Sequence, residues 1–449
     1  MLLLLTACSE EKRTFLIPDG QYSRVLKNAK KINDVPAKWW ELFADSELNS
    51  LIQAALENNP DMNQARKRLD AASALARKSY SSLLPSVSLS GGRENTKTDS
   101  THVGDYSLSA AASYEIDMFG KNKYSYQQSL LSAQASLEDL RVAAITISSS
   151  IAENWLRLLA LRSEEALLKE QLKTNEDILK LQRKRYLNGA ASVLDILQQE
   201  EIIARVKSQL PDVRASKELV ENQIAVLIGK SPSKKVEIAG EKIPEILPIP
   251  ETGLPSRLLQ ERPDLEAAWL RVRSSDWGIV AAKRDRFPSI SLSGGYSYSE
   301  SALESLFDSW VLNLAAGVVV PIIDGGNRKA EVERQKALAE EQFYAYKETV
   351  LNAIREVEDV LAKNFYQEKK IDSINDQITI SRSSLRQAQR SYTSGNASYI
   401  NVLDGLLNVQ SLERQLVQSR RDLALYRVEL YRSIGLSGWT DEVVEGQGT

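Results

Sequence analysis

Tyr106-Ser107-Leu108-Ser109-Ala110-Ala111-Ala112-Ser113-Tyr114-Glu115-Ile116-Asp117-Met118 alternates along its whole length. Tyr106, Leu108, Ala110, Ala112, Tyr114, Ile116 and Met118 point one way, and Ser107, Ser109, Ala111, Ser113, Glu115 and Asp117 point the other. A period of two is a β-strand with one apolar face. Three further segments behave alike. Val87 and Leu89 begin the first, Ile290, Leu292, Tyr296 and Tyr298 oppose serines in the third, and Trp310, Leu312, Leu314, Ala316, Val318 and Val320 form the apolar row of the fourth. Segments of about ten residues with aromatics near their ends fit transmembrane barrel strands. A soluble sheet with one buried face has the same period and stays open as an alternative. Strand number sharpens the choice. Four strands cannot close a barrel, and an open edge in lipid leaves backbone groups unsatisfied at several kcal/mol each. Chains must therefore pool strands: two give eight and a filled interior, three give twelve and room for a pore. Three copies are expected. The polar strand-to-strand loops, about 93–105 and 299–309, are expected to face outside, with His102 a solvated loop residue.

Working outward, the chain is written twice. Asn59-Pro60-Asp61 through Leu84-Pro85-Ser86-Val87-Ser88-Leu89-Ser90-Gly91-Gly92 recurs as Arg262-Pro263-Asp264 through Phe287-Pro288-Ser289-Ile290-Ser291-Leu292-Ser293-Gly294-Gly295. Tyr186 to Ser192 returns as Tyr392 to Ser398, so the second half runs about three residues longer in its middle. Each half reads helix, two strands, long helix, turn, helix. Asn59 is placed to cap a helix that opens with Pro60 and stops near Leu84, before Pro85.

A long helix over about Lys121 to Leu187 carries a seven-residue repeat. Leu130, Leu137, Ala144, Ile151, Leu158, Leu172, Leu179 and Tyr186 fall at one position, and Ala133, Leu140, Ile147, Leu161 and Leu168 at the other. Phe343, Val350, Val357, Ile371, Ile378, Leu385 and Tyr392 repeat it in the second half. Sustained heptads without proline mean helices packed lengthwise, and 67 residues reach roughly 100 Å. Tyr186 continues the series and reads as core. The expected organisation is a signal-peptide remnant (1–7), an N-terminal anchored segment with a first helix (8–58), a first repeat (59–229), a connecting segment (230–261), a second repeat (262–435) and a tail (436–449).

Composition removes several function classes. Lys+Arg 57 against Asp+Glu 60 gives a net charge of −3, with no footprint of a nucleic-acid binder. One cysteine and one histidine exclude a disulfide framework and clustered zinc ligands, so no metal site and no cofactor are expected. No run of 18 apolar residues is long enough for a helical membrane span. Asp324-Gly325-Gly326 and Gly91-Gly92 lack a phosphate-loop context, and nothing argues for an enzyme. At the start, Leu5-Thr6-Ala7-Cys8 fits a bacterial lipobox that ends a signal peptide, with Cys8 taking a covalent acyl (palmitate-type) lipid. No Lys or Arg precedes the leucines, which a start codon assigned too late would explain. By resemblance to lipoproteins of this kind, Ser9 rather than Asp after the cysteine favours the outer membrane.

The ordered set of motifs resembles the outer-membrane factor family, the TolC-like and OprM-like channels of tripartite export systems. Trp39-Trp40-Glu41-Leu42-Phe43-Ala44-Asp45 and the Ala55-Leu56…Asn59-Pro60-Asp61 run are similar to its N-terminal signature. Tyr114-Glu115-Ile116-Asp117-Met118-Phe119-Gly120 and Pro321-Ile322-Ile323-Asp324-Gly325-Gly326 resemble its strand-to-helix turns, and Glu261 to Leu265 and Leu436-Ser437-Gly438-Trp439 complete the match. The resemblance implies an α+β membrane protein: a homotrimer whose 12-stranded β-barrel, four strands per chain, continues into a long α-helical barrel. It implies an exit duct in the outer membrane of a Gram-negative bacterium, lipid-anchored and reaching into the periplasm, for drugs or other small toxic compounds. Its partners would be a periplasmic adaptor (membrane fusion) protein and an inner-membrane pump of the resistance-nodulation-division (RND) type. Metal-cation efflux, type I protein secretion and, from another class, a soluble helical scaffold are the alternatives.

By the same resemblance, the turns Tyr186–Ser192 and Tyr392–Ser398, with Gly189 and Gly395, form the periplasmic tip. Asp404 and Asp195 match acidic positions of the aperture, where Asn401 replaces a second ring aspartate. Tyr392 and Asp195 match a closing latch whose neighbouring arginine is replaced by Ala397. Asp195 is equally read as an acid capping its helix.

Overall fold

The computed structural model describes residues 31–32, 38–97, 102–233, 238–240, 242–247, 249–250 and 262–435. Cys8, the signal-peptide remnant, Glu261 and the 436–449 tail lie outside them. In order come β1 (Lys31–Ile32), α1 (Ser46–Asn58), α2 (Pro60–Ser81), β2 (Ser86–Lys97), β3 (His102–Ile116), α3 (Lys121–Leu187), α4 (Val193–Leu227), β4 (Ile249–Pro250), α5 (Pro263–Arg284), β5 (Ser289–Glu300), β6 (Trp310–Val319), α6 (Asn327–Thr393) and α7 (Tyr399–Ser433). The duplication is literal. α2 and α5 have 22 residues each, β2 and β5 have 12, α3 and α6 have 67, and α4 and α7 have 35. The offset is 203 through β5 and 206 from α6 onward, so the extra residues sit between Glu300 and Asn327, where a 3₁₀ turn at Leu303–Ser305 occurs. Two compact units cut across the repeats: Met1–Gln64, Arg141–Arg262 and Val350–Thr449 form one, and Ala65–Leu140 and Pro263–Thr349 the other.

The second unit holds the four-stranded antiparallel sheet, ordered β2-β3-β5-β6. Register converts alternation into faces. Leu89, Ala110, Tyr296 and Leu312 form one row across all four strands, and Val87, Ala112, Gly294 and Leu314 form another. Rows of Ser86, Ser113, Ser293 and Ala315 and of Ser90, Ser109, Ser297 and Val311 lie on the opposite face. Val87, Leu89, Leu312, Leu314 and Val318 are more than half exposed. Aromatic pairs Tyr296–Trp310 (5.6 Å) and Tyr298–Phe307 (5.1 Å) cluster where β5 meets β6 near the loop end. The expected 93–105 loop is a correction: Arg93 to Lys97 pair with Tyr106 to His102, so both strands extend and His102 opens β3. Backbone pairing continues there because it needs no apolar side chain.

At the other end of the sheet, aspartates start both long helices. Asp117 accepts from the Asn122 and Lys123 amides at 3.1 and 2.8 Å, and Asp324 accepts from the Gly326 and Arg328 amides at 3.0 and 3.1 Å. Those amides, and then the Arg328 guanidinium, hold the Asp324 carboxyl below the usual carboxylate range. Asp285, just past α5, takes Lys121 at 3.1 Å and Arg328 at 3.1 Å. A carboxylate at the positive end of a helix both caps and orients it.

The first unit contains the aromatic core. Trp39, from the Trp-Trp motif, is fully buried and stacks on Tyr431 at 5.7 Å, while Phe43 meets Trp155 edge-on at 5.7 Å. Burial pushes the Tyr431 hydroxyl up to about 12. Val357, Val360, Leu361, Leu430 and Ile249 form an adjoining cluster, each side chain worth about 1.5–3 kcal/mol of burial. The repeat also reuses one helix stop with different chemistry. Gly229 and Gly435 sit at φ +73° and +80° after α4 and α7. Beside them Asn59 donates to the Leu227 carbonyl at 2.8 Å, and its counterpart Arg262 donates to the Ser433 carbonyl at 2.8 Å. Helix α2 ends at Ser81, three residues before the expected stop. As expected, Asn59 caps its start, accepting from the Asp61 and Met62 amides at 2.8 and 3.2 Å.

Candidate functional site

The two interhelical turns share a backbone fixed by one glycine each. After α3, the Gly189 amide donates to the Tyr186 carbonyl at 2.9 Å and the Ala190 amide to the Arg185 carbonyl at 2.8 Å. After α6, Gly395 bonds Tyr392 at 3.1 Å and Asn396 bonds Ser391 at 2.9 Å. These are Schellman stops that need a left-handed residue, and the glycines adopt φ +73° and +76°. A Cβ at either would meet nothing within 4 Å, so conformation rather than space demands glycine.

Their side chains then diverge. Ser192 and Asp195 form a reciprocal capping box: the Asp195 amide donates to the Ser192 hydroxyl at 3.2 Å, and the Ser192 amide donates to the Asp195 carboxylate at 3.2 Å. The same carboxylate oxygen accepts from the Tyr392 hydroxyl at 3.1 Å, and Gln182 accepts from that hydroxyl at 3.1 Å. Asp195 and Tyr392 are thus brought together, and Asp195 at once caps its helix and accepts from Tyr392. Burial first, and the Asp195 charge next, raise the Tyr392 hydroxyl. Arg185 lies over the Tyr392 ring at 4.5 Å and donates to the Ala190 carbonyl at 3.3 Å. Arg185 is the cation beside this tyrosine, and Ala397 supplies none.

Asp404 and Asn401 are not brought into this cluster. Both are exposed; the Asn401 amide donates to the Ser398 carbonyl at 3.3 Å, and Asp404 has no hydrogen-bond or ion-pair partner among the described residues. Tyr186, expected in the core, is 43% exposed in the single chain. The heptad phase continues to Tyr186, but its side chain lies on an exposed face at the end of α3. Higher in the same unit, a groove of about 1470 Å³ lies between α3, α6 and α7, with Arg162, Glu165, Arg382, Glu413 and Arg420 on its walls. Glu165 is held at about 2 by hydrogen bonds from Lys169, then Lys217, then Arg214.

The sequence reading missed Gln182 and Arg185. Gln182 lies seven residues beyond Asn175 and fourteen beyond Leu168, on the seam, and only a polar residue in heptad phase could have signalled it. No group of His, Cys, Asp or Glu able to hold a metal ion occurs among the described residues.

Two stretches, residues 51–230 and 254–436, match the family described as outer membrane efflux protein. They bracket the two copies of the duplication. The chain is 30% identical to the pyoverdine export outer membrane protein OpmQ of Pseudomonas aeruginosa, over 98% of this chain and 96% of that one. It is 27% identical to the cation efflux system protein CusC of Escherichia coli, over 97% of each. Among solved structures, a membrane protein from Pseudomonas aeruginosa superposes with a TM-score of 0.81 at 26% identity, covering 93% of this chain and 99% of that one. The Campylobacter jejuni CmeC outer membrane channel gives 0.84 at 21% identity over 96% and 97%, a likeness of fold. Sheet, paired long helices, duplication and family match agree: the chain belongs to the outer membrane efflux protein family and is an outer-membrane efflux channel.

Proposed function

We propose that three copies pool their four-stranded sheets into one twelve-stranded barrel and form the passive exit duct of a tripartite RND-type pump. The carrying observation is the sheet itself. Its apolar face is exposed at Val87 and Leu89 of β2, Leu292 and Tyr296 of β5 and Leu312, Leu314 and Val318 of β6, and β2 and β6 each keep an edge without a strand partner among the described residues. In hydrocarbon such an edge is untenable, and pairing β6 of one copy with β2 of the next removes every edge.

The helical turns form the periplasmic aperture in this reading. Asp195 and Tyr392 hold it, and Asp404, with Asn401 in place of a second acid, lines it, so that three carboxylates related by the trimer axis favour cations. A periplasmic adaptor and an inner-membrane transporter supply energy and select cargo; the chain performs no catalysis and needs no cofactor. Small toxic compounds are the proposed cargo. Cys8 carries a lipid that anchors the mature chain to the outer membrane of a Gram-negative cell.

Native mass spectrometry of the detergent-purified protein tests assembly and anchor together. The expected mass is three chains, each starting at Cys8 with acyl groups attached. A single chain, or an unmodified Cys8, contradicts the corresponding half of the proposal.

A further inference from the structure

The two ends of the sheet carry opposite charge. Where the helices meet the strands, residues 74–85, 117–124, 281–288 and 321–330 hold nine Lys or Arg and three Asp, although the whole chain is net −3. At the strand-to-strand end, residues 93–105 and 300–309 hold two Lys or Arg and six Asp or Glu. The three aspartates of the helix end are engaged within the fold. Asp117 and Asp324 each accept from helix amides, and Asp285 takes Lys121 and Arg328. Arg77, Lys123, Arg284 and Arg286 have no carboxylate partner among the described residues, and Lys329 meets Glu333 at 4.0 Å. Arg77, Lys123, Arg286 and Lys329 are exposed.

Position on the helices separates these cations from the paired ones. Lys121, Asp285 and Arg328 line a recess with Glu115 and Ser289, which belong to the serine-bearing face of the sheet. Two residues turn a helix by about 200°, so Lys123 stands across α3 from Lys121, on the side of the sheet's apolar face. Arg77 shares a face of α2 with Tyr80, three residues further on and 47% exposed. Arg284 covers the exposed Phe287 ring at 5.6 Å. Met118 and Ile322, in the turns that follow β3 and β6, are exposed as well. Apolar surface thus runs down the sheet and ends in a line of cations. A cation on a long apolar stem at that level reaches the headgroup layer while its stem stays in hydrocarbon.

We propose that this cationic belt binds anionic phospholipid, through the phosphodiester of the headgroup, in the leaflet on the helix side of the membrane. Charge complementarity selects the occupant: a zwitterionic headgroup brings an ammonium that the belt repels, whereas a net-negative headgroup does not. The acidic strand-to-strand end favours no such lipid, so the preference is confined to one leaflet. The binding rests on the reading of the sheet as part of a membrane-spanning barrel.

The test equilibrates the full-length protein in detergent with equimolar phosphatidylglycerol and phosphatidylcholine of identical acyl chains, and counts retained lipid by native mass spectrometry. Phosphatidylglycerol should be retained at least about fivefold over phosphatidylcholine at low salt, and the ratio should fall as salt screens the belt. The triple variant Arg77→Gln, Lys123→Gln, Lys329→Gln should bring the ratio below about twofold. The charge-conserving set Arg77→Lys, Lys123→Arg, Lys329→Arg should keep it. Equal retention of both lipids by the wild type, or a preference that survives the glutamine variant, overturns the proposal and leaves the barrel reading standing. Retention of neither lipid also overturns the proposal; if the protein is then soluble without detergent, the barrel reading falls with it.

Discussion

The two helical turns have one backbone and two chemistries. Gly189 and Gly395 stop their helices in the same conformation, three residues after Tyr186 and Tyr392. Beyond them, Ser192 is locked into a capping box by Asp195, while Ser398 makes no side-chain cap bond and the Asn401 amide, at the Asp195 position, donates to its carbonyl instead. Tyr392 is part-buried and bonded; Tyr186 is exposed in the single chain. Duplication thus preserved what geometry requires, a left-handed glycine, and released what it does not. The charge and the hydroxyl that meet across the helices survive once per chain, with the acid from the first repeat and the phenol from the second. Three copies would therefore hold three such contacts, one per chain.

The comparison can be broken most sharply at Asp195. Asp195→Ala removes the box and one of the two acceptors of Tyr392 together, and should cost about 1–2 kcal/mol of stability by the scale of lost helix caps, with a several-fold rise in resting conductance. Asn401→Ala, at the twin position, should change denaturation midpoints by less than about 0.5 kcal/mol. Equal losses would mean that the turns are not chemically distinct. Next in size, Tyr392→Phe removes one hydroxyl and should cost about 1 kcal/mol and raise resting conductance, while Tyr186→Phe leaves both unchanged. Single-channel recording of the pair checks this.

A smaller effect probes the same asymmetry by pH. Glu165, whose counterpart is Ile371, keeps its charge down to about pH 2 because Lys169, Lys217 and Arg214 surround it. Its folded value lies below the unfolded one, so its stabilisation is present above about pH 4.5 and fades as pH falls toward 2. Glu165→Gln should lower stability by about 1 kcal/mol at pH 7, after allowing for solvent screening, and by nothing near pH 2. A difference that persists in acid would contradict the assignment.

Much of this was legible in the sequence because it depends on period. The strands, the 67-residue helices, the turns and the duplication follow from alternation of two, from heptads and from a constant offset, which survive wherever packing is regular. Asp195 and Tyr392 were found through motif resemblance, and the geometry joins them. What stayed hidden lacks periodic signature. Gln171, Asn175, Gln182 and Gln199 look like interruptions of an apolar series until their partners on three other helices are known. Arg185 is one basic residue in a last helical turn, where bases are common anyway. Tyr186 keeps the heptad phase although it is exposed in the single chain, so period alone placed it inside. The 93–105 segment looked like loop because its side chains are polar, although strand pairing is made by the backbone.

In the proposed channel these chains pool their sheets into a membrane pore narrowed by acidic side chains. Single-channel recording of the detergent-purified protein in a planar bilayer under a salt gradient tests it most directly. Discrete conductance steps with a cation-preferring reversal potential, moved toward zero by Asp404→Ala, are the predicted result. An anion-preferring pore, or a reversal potential unmoved by Asp404→Ala, would contradict the acidic aperture. Absence of any conductance from the Tyr392→Phe protein, which lacks the hydrogen bond to Asp195, would contradict the pore itself.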